Sequence, residues 1–473
     1  MSDGARLTDP PRKKDERNGT TAQRRGPLTS STGQGTPERP ESGGSRLDPH
    51  HDRYAERART MTASEIRALF AVASRPEVVS LAGGMPYLRA LPLEEISALV
   101  ARLLAEQGAE ALQYSSGQGD PQLREQICTV MSLVGIAAHP DEVVVTTGSQ
   151  QALDLVTRIF VDPGDVVLVE APSYVGALGT FRSFQAEVRH VAMDSEGLVP
   201  DALREALAQL RGEGRQAKFL YTVPSFHNPA GVTAPAARRA ETLAICREAG
   251  LLVLEDDPYG LLGFDGQPPR AIRADDDEGV VYLGSFSKTF APGLRVGWAL
   301  APHAVRDKLV LASEATQLCP SAYSQLTVSA YLRTQPWQEQ VKVYREVYRE
   351  RRDAILAALT DLMPPGSTWT RPEGGFYVWL TLPEGIDAAR MLPLAVSERV
   401  AYVPGSAFYA GPVLPDEARR SMRLSYCYPE PDRIREGVRR LAGVVERELE
   451  LRATFGGRNE TAAGTAGPAA DTA

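Results

Sequence analysis

The chain has 473 residues, 43% of them hydrophobic, and a formal net charge of -8 at pH 7. The acidic balance disfavours a nucleic-acid surface as the main partner, and the sequence has no run of about 18 apolar residues that could cross a membrane. The polar N-terminus lacks the apolar core of a signal peptide. We therefore expect a cytoplasmic protein whose core is divided between two compact lobes.

Both ends of the chain have the composition of disordered segments. Residues 1–55 are rich in Gly, Pro, Ser, Thr, Arg and Asp and nearly free of large aliphatic side chains, and residues 456–473 follow the same pattern. Such segments bury too little apolar surface to offset the entropy of ordering them. The four cysteines lie far apart without a C-x-x-C pair, so we expect reduced thiols and neither a disulfide framework nor a metal site.

Residues 56–115 are predicted to form an N-terminal arm and part of a small domain. Within them, Thr62 and Glu65 have the spacing of a capping box, which predicts a helix over residues 62–74. Because this helix precedes the first predicted strand, we assign it to the small domain or to an arm that contacts a second subunit.

Between residues 116 and 335, short β-branched runs alternate with helical patterns. This alternation predicts a large α/β domain with a mostly parallel sheet that is covered by helices on both faces. The predicted strands lie at residues 142–147, 165–170, 218–224, 251–257, 279–285 and 295–302. From residue 336 to 455, a long charged helical pattern and two further strand patterns predict a smaller α+β domain.

Polar residues follow several of these strands. Ser149 and Gln150 open a helix after Gly148, where free N–H groups bind phosphate, although an ordinary N-capped turn has the same pattern. Asn228 precedes a proline, which is also a plain turn signal. His227 beside it has no partner at metal-ligand spacing, so we interpret it as a turn residue rather than a ligand.

An acid–phenol pair and a lysine end two further strands. Asp256 is followed three residues later by Tyr259, a pattern that a strand end with solvated acids would also produce. Lys288 lies among small residues, where burial can lower its pKa and make it a nucleophile, whereas in isolation it would be a solvated loop residue. Arg295 follows it by seven residues. Because such strand ends share one edge of a sheet, the set matches the lysine, carboxylate and phosphate donors that pyridoxal phosphate needs.

A series of motifs in a fixed order carries a family resemblance. They are "SEIR", "LAGGMP", "ALQYSSGQGDPQLRE", "TTGSQQALDL", "EAPSYVGAL", "PSFHNPAG", "EDDPYG", "YLGSFSKTFAPGLRVG" and "GGFYVWL". From about Thr60 to about Arg452 the chain resembles the class I/II aminotransferases of the fold-type I pyridoxal-phosphate family, and in particular the 2-aminoadipate and aromatic aminotransferase branch. The resemblance implies a mostly parallel, seven-stranded-type sheet in a large cofactor domain, beside a smaller α+β domain.

The same resemblance implies how pyridoxal phosphate is held. Lys288 would form the internal aldimine and shuttle the proton of transamination, and Asp256 would pair with the protonated ring nitrogen. Asn228 and Tyr259 would donate hydrogen bonds to the 3-oxygen of the ring, and Tyr174 would stack on the ring face.

The phosphate group would be held by residues of two subunits. Those implied by the resemblance are Ser149, Gln150, Ser285 and Arg295, joined by Tyr114 of the neighbouring subunit. The last of these implies a homodimer with shared active sites.

The resemblance also implies a substrate site. Arg423 would bind the α-carboxylate as a bidentate pair, with Gly84 and Asn228 nearby; without the resemblance, an arginine on an alternating strand is expected on the solvated face. Arg67 either meets an acidic substrate side chain or is a solvated helix arginine, and both interpretations stay open. The segment 87–89, "YLR", departs from the family pattern at a position that contacts substrates, so the preferred amino acid stays open.

We expect a transaminase that moves an amino group from an L-amino acid to a 2-oxo acid, such as 2-oxoglutarate, by a ping-pong mechanism. A lyase or decarboxylase on the same fold is an alternative, because it would share the lysine and the aspartate. A pyridoxal-phosphate-sensing regulator fused to a winged-helix module is a further alternative. It is disfavoured because the first 55 or so residues carry no apolar periodicity that could build such a module.

Overall fold

The computed structural model describes residues 48, 50–59, 75–411 and 413–456. The predicted helix over 62–74, with Arg67, lies outside these residues, and so do the two predicted disordered tails except for a few residues. Within the described ranges, no helix is long and apolar enough to cross a membrane. The same ranges contain no group of three or more His, Cys, Asp or Glu side chains arranged to hold a metal ion.

The strands are named in chain order. They are β1 (Val79–Ser80), β2 (Val143–Thr146), β3 (Val166–Ala171), β4 (Glu187–Asp194), β5 (Gly197–Leu198), β6 (Ala217–Thr222), β7 (Leu252–Asp256), β8 (Val280–Ser285), β9 (Gly297–Leu300), β10 (Thr368–Trp369), β11 (Tyr377–Thr381), β12 (Val400–Ala401), β13 (Val403–Pro404) and β14 (Ser421–Ser425).

The helices are named in the same way. They are α1 (Glu56–Arg59), α2 (Leu93–Ala111), α3 (Pro121–Ser132), α4 (Ser149–Phe160), α5 (Val175–Ser183), α6 (Pro200–Gly212), α7 (Ala236–Ala249), α8 (His303–Gln317), α9 (Ala322–Thr334), α10 (Trp337–Leu362), α11 (Ala388–Ser397), α12 (Asp416–Arg420) and α13 (Pro431–Gly456). Asp120, Ser321 and Asp387 cap α3, α9 and α11, because their side chains accept hydrogen bonds from backbone N–H groups of the first turn.

The larger sheet has eight strands in the order β2-β9-β8-β7-β6-β3-β4-β5. The strands from β8 to β4 in this order are parallel, whereas β9 is antiparallel to both of its neighbours. Separate apolar clusters pack on the two faces of the central strands, as the alternation of strands and helices predicts. The carboxyl ends of β6, β7 and β8 therefore lie side by side at one edge.

A smaller antiparallel sheet has the order β10-β11-β14-β13, and its buried side chains share one apolar cluster with those of α10 and α13. In its β11–β14 ladder, Trp379 lies opposite Arg423, and Tyr377 lies opposite Ser425. The backbone N–H of Ser425 donates to the carbonyl of Leu81, at 2.7 Å, and thereby ties the segment after β1 to this sheet. The short strand β1 pairs with β12.

The mostly parallel α/β fold is confirmed, with one more strand than the predicted seven. Among the described residues, the two-residue strand β5 pairs only with β4, after a tight turn, and its Gly197 has a φ of 91°. The sequence pattern did not predict β4 because half of its side chains are polar and most are only partly buried, "EVRHVAMD", so neither face shows an apolar alternation.

Candidate active site

A cavity of about 380 Å³ lies at the edge where β6, β7 and β8 end. Most of the residues predicted from the sequence line it: Gly84, Ser149, Gln150, Tyr174, Asn228, Asp256, Tyr259, Ser285, Lys288, Arg295 and Arg423. Tyr114 does not line it, because its side chain is 76% exposed elsewhere on the chain. Arg67 lies outside the described residues, so the structure does not place it.

Three consecutive acids at the end of β7 have three different environments. Successive side chains of a strand point to opposite faces, so Asp256 faces the cavity while Glu255 faces the layer behind it. The Glu255 carboxylate accepts hydrogen bonds from the backbone N–H groups of Ile272 and Arg273, at 2.9 and 2.8 Å. Asp257 accepts from the backbone of the turn that follows. Of the three acids, only Asp256 is available to a molecule in the cavity.

Asp256 has one satisfied and one free carboxylate oxygen. Its Oδ2 accepts a hydrogen bond from the Tyr221 hydroxyl at 2.8 Å, whereas its Oδ1 is buried and has no hydrogen-bond partner within the part of the chain that the structure describes. Burial raises the pKa of Asp256 to about 7, and the Tyr221 hydrogen bond opposes that rise. Buried polar atoms are nearly always paired, so this oxygen fits the protonated ring nitrogen of pyridoxal phosphate.

The Lys288 side chain points into the cavity. Its Nζ donates to the Gly84 carbonyl at 3.0 Å and lies 5.6 Å from the centre of the Phe376 ring. Burial lowers the pKa of Lys288 to about 8, and the nearby guanidinium groups of Arg423 and Arg295 act in the same direction. At a pKa of about 8, roughly one amine in ten is neutral at pH 7 and half are neutral at pH 8, and the neutral form is the nucleophile towards a carbonyl.

An anion cradle lies where α4 begins. Gly148 has a φ of 77°, and a Cβ at this position would overlap the Arg295 guanidinium. Arg295 itself has a left-handed φ of 55° and makes three long hydrogen bonds of 3.3–3.4 Å. The hydroxyls of Ser285 and Ser287 lie 2.8 Å apart beside it. A helix start, two hydroxyls and a guanidinium together make a site for a phosphate group.

Tyr174 and Gln150 hold each other at the mouth of this cradle. The Tyr174 hydroxyl donates to Oε1 of Gln150 at 3.2 Å, and Nε2 of Gln150 donates to the hydroxyl of Thr180 at 2.8 Å. Burial raises the pKa of Tyr174 to about 12, so its hydroxyl stays protonated. Gln150 therefore orients the Tyr174 ring as well as facing the cradle.

Arg423 crosses from the smaller sheet into the cavity. Its guanidinium lies between two rings, 4.2 Å from the centre of Tyr377 and 5.1 Å from the centre of Phe408. One NH2 group donates to the Asn228 side-chain oxygen at 2.9 Å, and the other donates to the Ala82 carbonyl at 2.7 Å. Arg423 is 3% exposed, so it does not lie on the solvated strand face that its alternating pattern alone would favour.

A pair of tyrosine hydroxyls closes the cavity beside Asn228. The Tyr259 hydroxyl donates to the Tyr377 hydroxyl at 3.3 Å, and both rings are buried. A Cβ at Gly84 would overlap the Tyr377 hydroxyl, so this position requires glycine. Asn228 and Tyr259 thus present an amide and a phenol to the same part of the cavity.

Sequence reasoning missed Tyr221 and Tyr377. Tyr377 belongs to the quoted motif "GGFYVWL", but nothing in that motif shows which ring faces the cavity. Tyr221 lies in a predicted strand, and its side chain meets Asp256 only through the register of β6 with β7, in which Tyr221 pairs with Leu254. That register was not readable from one sequence. His227 lies in the predicted turn, buried, with its Nε2 3.1 Å from the Glu170 carboxylate.

A second cavity, of about 870 Å³, adjoins the first at Lys288 and Gly84. Its lining includes Tyr87, Leu88 and Arg89, the segment in which the sequence departs from the family pattern. This segment is held in place from α10, because the Tyr348 hydroxyl accepts from the Tyr87 backbone N–H at 2.9 Å and Arg351 lies 4.1 Å from the Tyr87 ring centre. Arg89 has no hydrogen-bond or ion-pair partner among the described residues.

The comparisons with known proteins agree with this geometry. The sequence model of the family "Aminotransferase class I and II" matches residues 76–441. The chain is 42% identical over 400 residues to aromatic-amino-acid aminotransferase 1 of Thermococcus litoralis, covering 84% of this chain and 95% of the relative. It is 40% identical over 402 residues to the 2-aminoadipate transaminase of Thermus thermophilus, covering 84% and 98%. The solved kynurenine aminotransferase of Pyrococcus horikoshii, in complex with PMP, has a TM-score of 0.80 and 39% identity, covering 86% of this chain and 100% of that chain.

Proposed function

The chain belongs to the class I and II aminotransferases, and on that basis we propose that it moves the amino group of an L-amino acid to 2-oxoglutarate in two successive half-reactions at the 380 Å³ cavity. It is a fold-type I transaminase that uses pyridoxal phosphate. The observation that carries the assignment of the site is the convergence of Lys288, Asp256 and Arg423 on this one cavity.

In the proposed site, the cofactor ring would be held between Asp256 and Tyr174, and its phosphate would lie in the cradle at the start of α4. When bound, pyridoxal phosphate supplies an electron sink for the charge left on the substrate α-carbon. The Oδ1 atom of Asp256, which has no hydrogen-bond partner in the described ranges, would face the ring nitrogen. Asn228 and Tyr259 would donate hydrogen bonds to the ring oxygen.

Lys288 would be the residue that moves the proton. With a pKa lowered to about 8, its Nζ can take up the α-proton and give it back within the normal range of cellular pH. The Gly84 carbonyl, which accepts from Nζ at 3.0 Å, holds the amine on the side of the cavity next to Arg423. The rings of Tyr377 and Phe376 exclude water from this side.

Arg423 would bind the α-carboxylate that all amino-acid donors share. Its guanidinium cannot rotate freely. The rings of Tyr377 and Phe408 enclose it, and Asn228 and Ala82 accept hydrogen bonds from it. A carboxylate that replaces one of these acceptors would form two parallel charged hydrogen bonds. The donor side chain would then extend towards the second cavity.

The function is tested by half-reactions of the cofactor-loaded protein with glutamate, 2-aminoadipate, leucine, phenylalanine and alanine. We expect at least one donor to convert the visible absorbance of the bound cofactor, and 2-oxoglutarate to restore it. The variant Lys288→Ala should abolish the conversion, while Lys308→Ala, which removes an exposed lysine of α8, should retain it. Release of ammonia or carbon dioxide without a returning 2-oxo acid would instead indicate a lyase or decarboxylase.

We propose further that the enzyme is a homodimer with shared sites. Leu112, Tyr114 and Leu318 are 77%, 76% and 55% exposed, which is unusual for large apolar side chains. The Ser115 hydroxyl donates to the Pro320 carbonyl at 2.8 Å, which keeps these exposed residues together. A second subunit covering them would bring Tyr114 to the partner's phosphate cradle.

The shared site is tested by mixing two inactive or impaired variants. Lys288→Ala lacks the amine and Tyr114→Ala lacks the phenol, but a mixed dimer would contain one site with both. Activity that reappears after the two are denatured together and refolded supports sharing, whereas a mixture no more active than its parts would show that each subunit builds its own site.

The division into domains is also a proposal. We assign residues 116–335 to the large cofactor domain, residues 336–455 to the smaller domain, and residues 56–115 to an N-terminal arm and part of the smaller domain. The division is supported by the two sheets, because the long strands of the larger sheet lie between residues 143 and 300 and the smaller sheet lies between 368 and 425.

A further inference from the structure

Tyr221 is the cavity residue whose role the site described above leaves unassigned. It is the next-to-last residue of β6 and is fully buried. In the parallel register of β6 with β7, Tyr221 lies beside Leu254, so its side chain shares a face with Asp256 two residues further on. This placement brings the hydroxyl to the Asp256 carboxylate, on the side away from the free Oδ1.

The Tyr221 hydroxyl has one polar partner among the described residues, and its ring has little freedom to move. The hydroxyl donates to Oδ2 of Asp256 at 2.8 Å. The Phe181 ring packs edge-on against Tyr221, with the ring centres 5.6 Å apart. Burial raises the pKa of Tyr221 well above its usual value, so the hydroxyl remains a donor throughout the working range of pH.

A carboxylate on a single β-carbon can rotate about its Cβ–Cγ bond, and the two oxygens can exchange places. Among the described residues, Asp256 has no further hydrogen-bond partner that would prevent this rotation. The bond from Tyr221 is therefore the contact that distinguishes Oδ2 from Oδ1. This hydrogen bond also stabilises the buried carboxylate, because without it both oxygens would lack a partner.

We propose that Tyr221 is a positioning residue that engages Oδ2 of Asp256 and thereby directs Oδ1 at the ring nitrogen of pyridoxal phosphate. The inference rests on the proposed site. It assigns to the end of β6 a function in cofactor binding that is separate from the turn carrying Asn228. Tyr221 acts through Asp256 and does not itself contact the reacting atoms.

The experiment compares the affinity of the apoenzyme for pyridoxal phosphate in four proteins: wild type, Tyr221→Phe, Asp256→Asn and the double variant. Phenylalanine keeps the ring contact with Phe181 and removes only the hydroxyl. We expect Tyr221→Phe to weaken binding about tenfold, as for loss of one hydrogen bond to a charged group. Its kcat should fall by a similar factor, while KM for the amino donor changes less than about twofold.

The double variant separates positioning from a general structural effect. If Tyr221 acts through Asp256, then Tyr221→Phe should change affinity by less than about twofold when Asp256→Asn is already present. An equal loss in both backgrounds would overturn the proposal. It would also be overturned if Tyr221→Phe alone left the affinity within about twofold of wild type.

Tyr402→Phe is the matched control. Tyr402 is fully buried and its hydroxyl donates to the Ala388 carbonyl at 2.7 Å, but it does not line the cavity. It should lower the melting temperature of the apoenzyme by about as much as Tyr221→Phe does, without weakening cofactor binding. A similar loss of affinity in Tyr402→Phe would attribute the effect to stability and would also overturn the proposal. Failure of the wild-type protein to bind the cofactor would count against the proposed site itself.

Discussion

The two walls of the active-site cavity are built in different ways. One wall, the strand-end wall, consists of Ser149, Asn228, Asp256, Tyr259 and Lys288, which follow strands of the larger sheet. The other, the crossing wall, consists of Gly84, Tyr377 and Arg423. Its members lie far apart in the sequence and are joined by the β11–β14 ladder and by the bond from Ser425 to Leu81.

This difference separates the chemistry from the choice of substrate. Side chains at parallel strand ends are placed by the sheet, whose register leaves little room for variation. The crossing wall is continuous with the segment 85–90 and with the second cavity. We therefore expect changes in the strand-end wall to affect all amino donors equally, and changes beyond the crossing wall to affect donors selectively.

Asp256→Ala should give the largest loss of kcat. It tests whether the strand-end wall affects all amino donors equally. Removing a preorganised charge from a buried site reduces kcat by about a hundredfold to a thousandfold, and the factor should be the same for glutamate, leucine and phenylalanine. Single-turnover rates with each donor measure it. Asp201→Ala, which removes an exposed acid of α6, is the control. A loss that differed tenfold between donors would contradict the idea that this wall serves chemistry alone.

Arg423→Lys should give the next largest loss of activity. It tests whether Arg423, in the crossing wall, serves every donor or only some of them. Lysine keeps the charge but cannot form a bidentate pair or reach both Asn228 and Ala82. We expect kcat/KM to fall by about 30-fold to 100-fold for every donor, because the α-carboxylate is common to them all. Steady-state kinetics with three donors would show this, and a selective loss would place Arg423 with the side-chain pocket instead.

Arg67→Ala should have a smaller and selective effect. If Arg67 meets an acidic side chain, kcat/KM for 2-aminoadipate and glutamate should fall about tenfold, with phenylalanine and leucine nearly unchanged. Arg102→Ala, which removes an exposed arginine of α2, is the control. Arg89→Ala tests the arginine that lines the second cavity. Equal losses for all donors would contradict the proposed role, and unchanged kcat/KM for every donor would favour the alternative of a solvated helix arginine. A selective loss in Arg89→Ala would transfer the role to that residue.

The two walls also differ in how far the sequence could predict them. Lys288, Asp256 and Ser149 were accessible because each follows an apolar strand pattern, and strand ends converge by geometry. Tyr221 could not be predicted in this way, because its contact with Asp256 depends on the register of β6 and β7. The burial of Arg423 could not be read from "SMRLSY", because an alternating strand gives no sign of which face a second lobe covers. For this residue the family resemblance, rather than the pattern, pointed to the cavity that it lines.

The smallest expected effect concerns stability, and it has opposite signs in the two walls. The pKa of Lys288 is lowered from 10.5 to about 8 by burial, so between these values the folded apoenzyme binds fewer protons than the unfolded chain. The free energy of unfolding therefore rises with pH through this window on account of Lys288, and the full penalty is present below about pH 8. Lys288→Met removes the charge, and at pH 7 we expect the apoenzyme to melt about 2 °C higher or more.

The rise in melting temperature caused by Lys288→Met should become smaller as the pH approaches 10, because the wild-type amine becomes neutral there. In the crossing wall, Arg423 is compensated by two hydrogen bonds and two aromatic rings, so Arg423→Met should lower the melting temperature at the same pH. Thermal melts must use protein freed of pyridoxal phosphate, because bound cofactor stabilises the folded state by mass action. Lys308→Met, at an exposed position, should leave the profile unchanged. If Lys288→Met instead melts lower at pH 7, the contacts of the amine with Gly84 and Phe376 outweigh its burial, and the two walls do not differ in this respect.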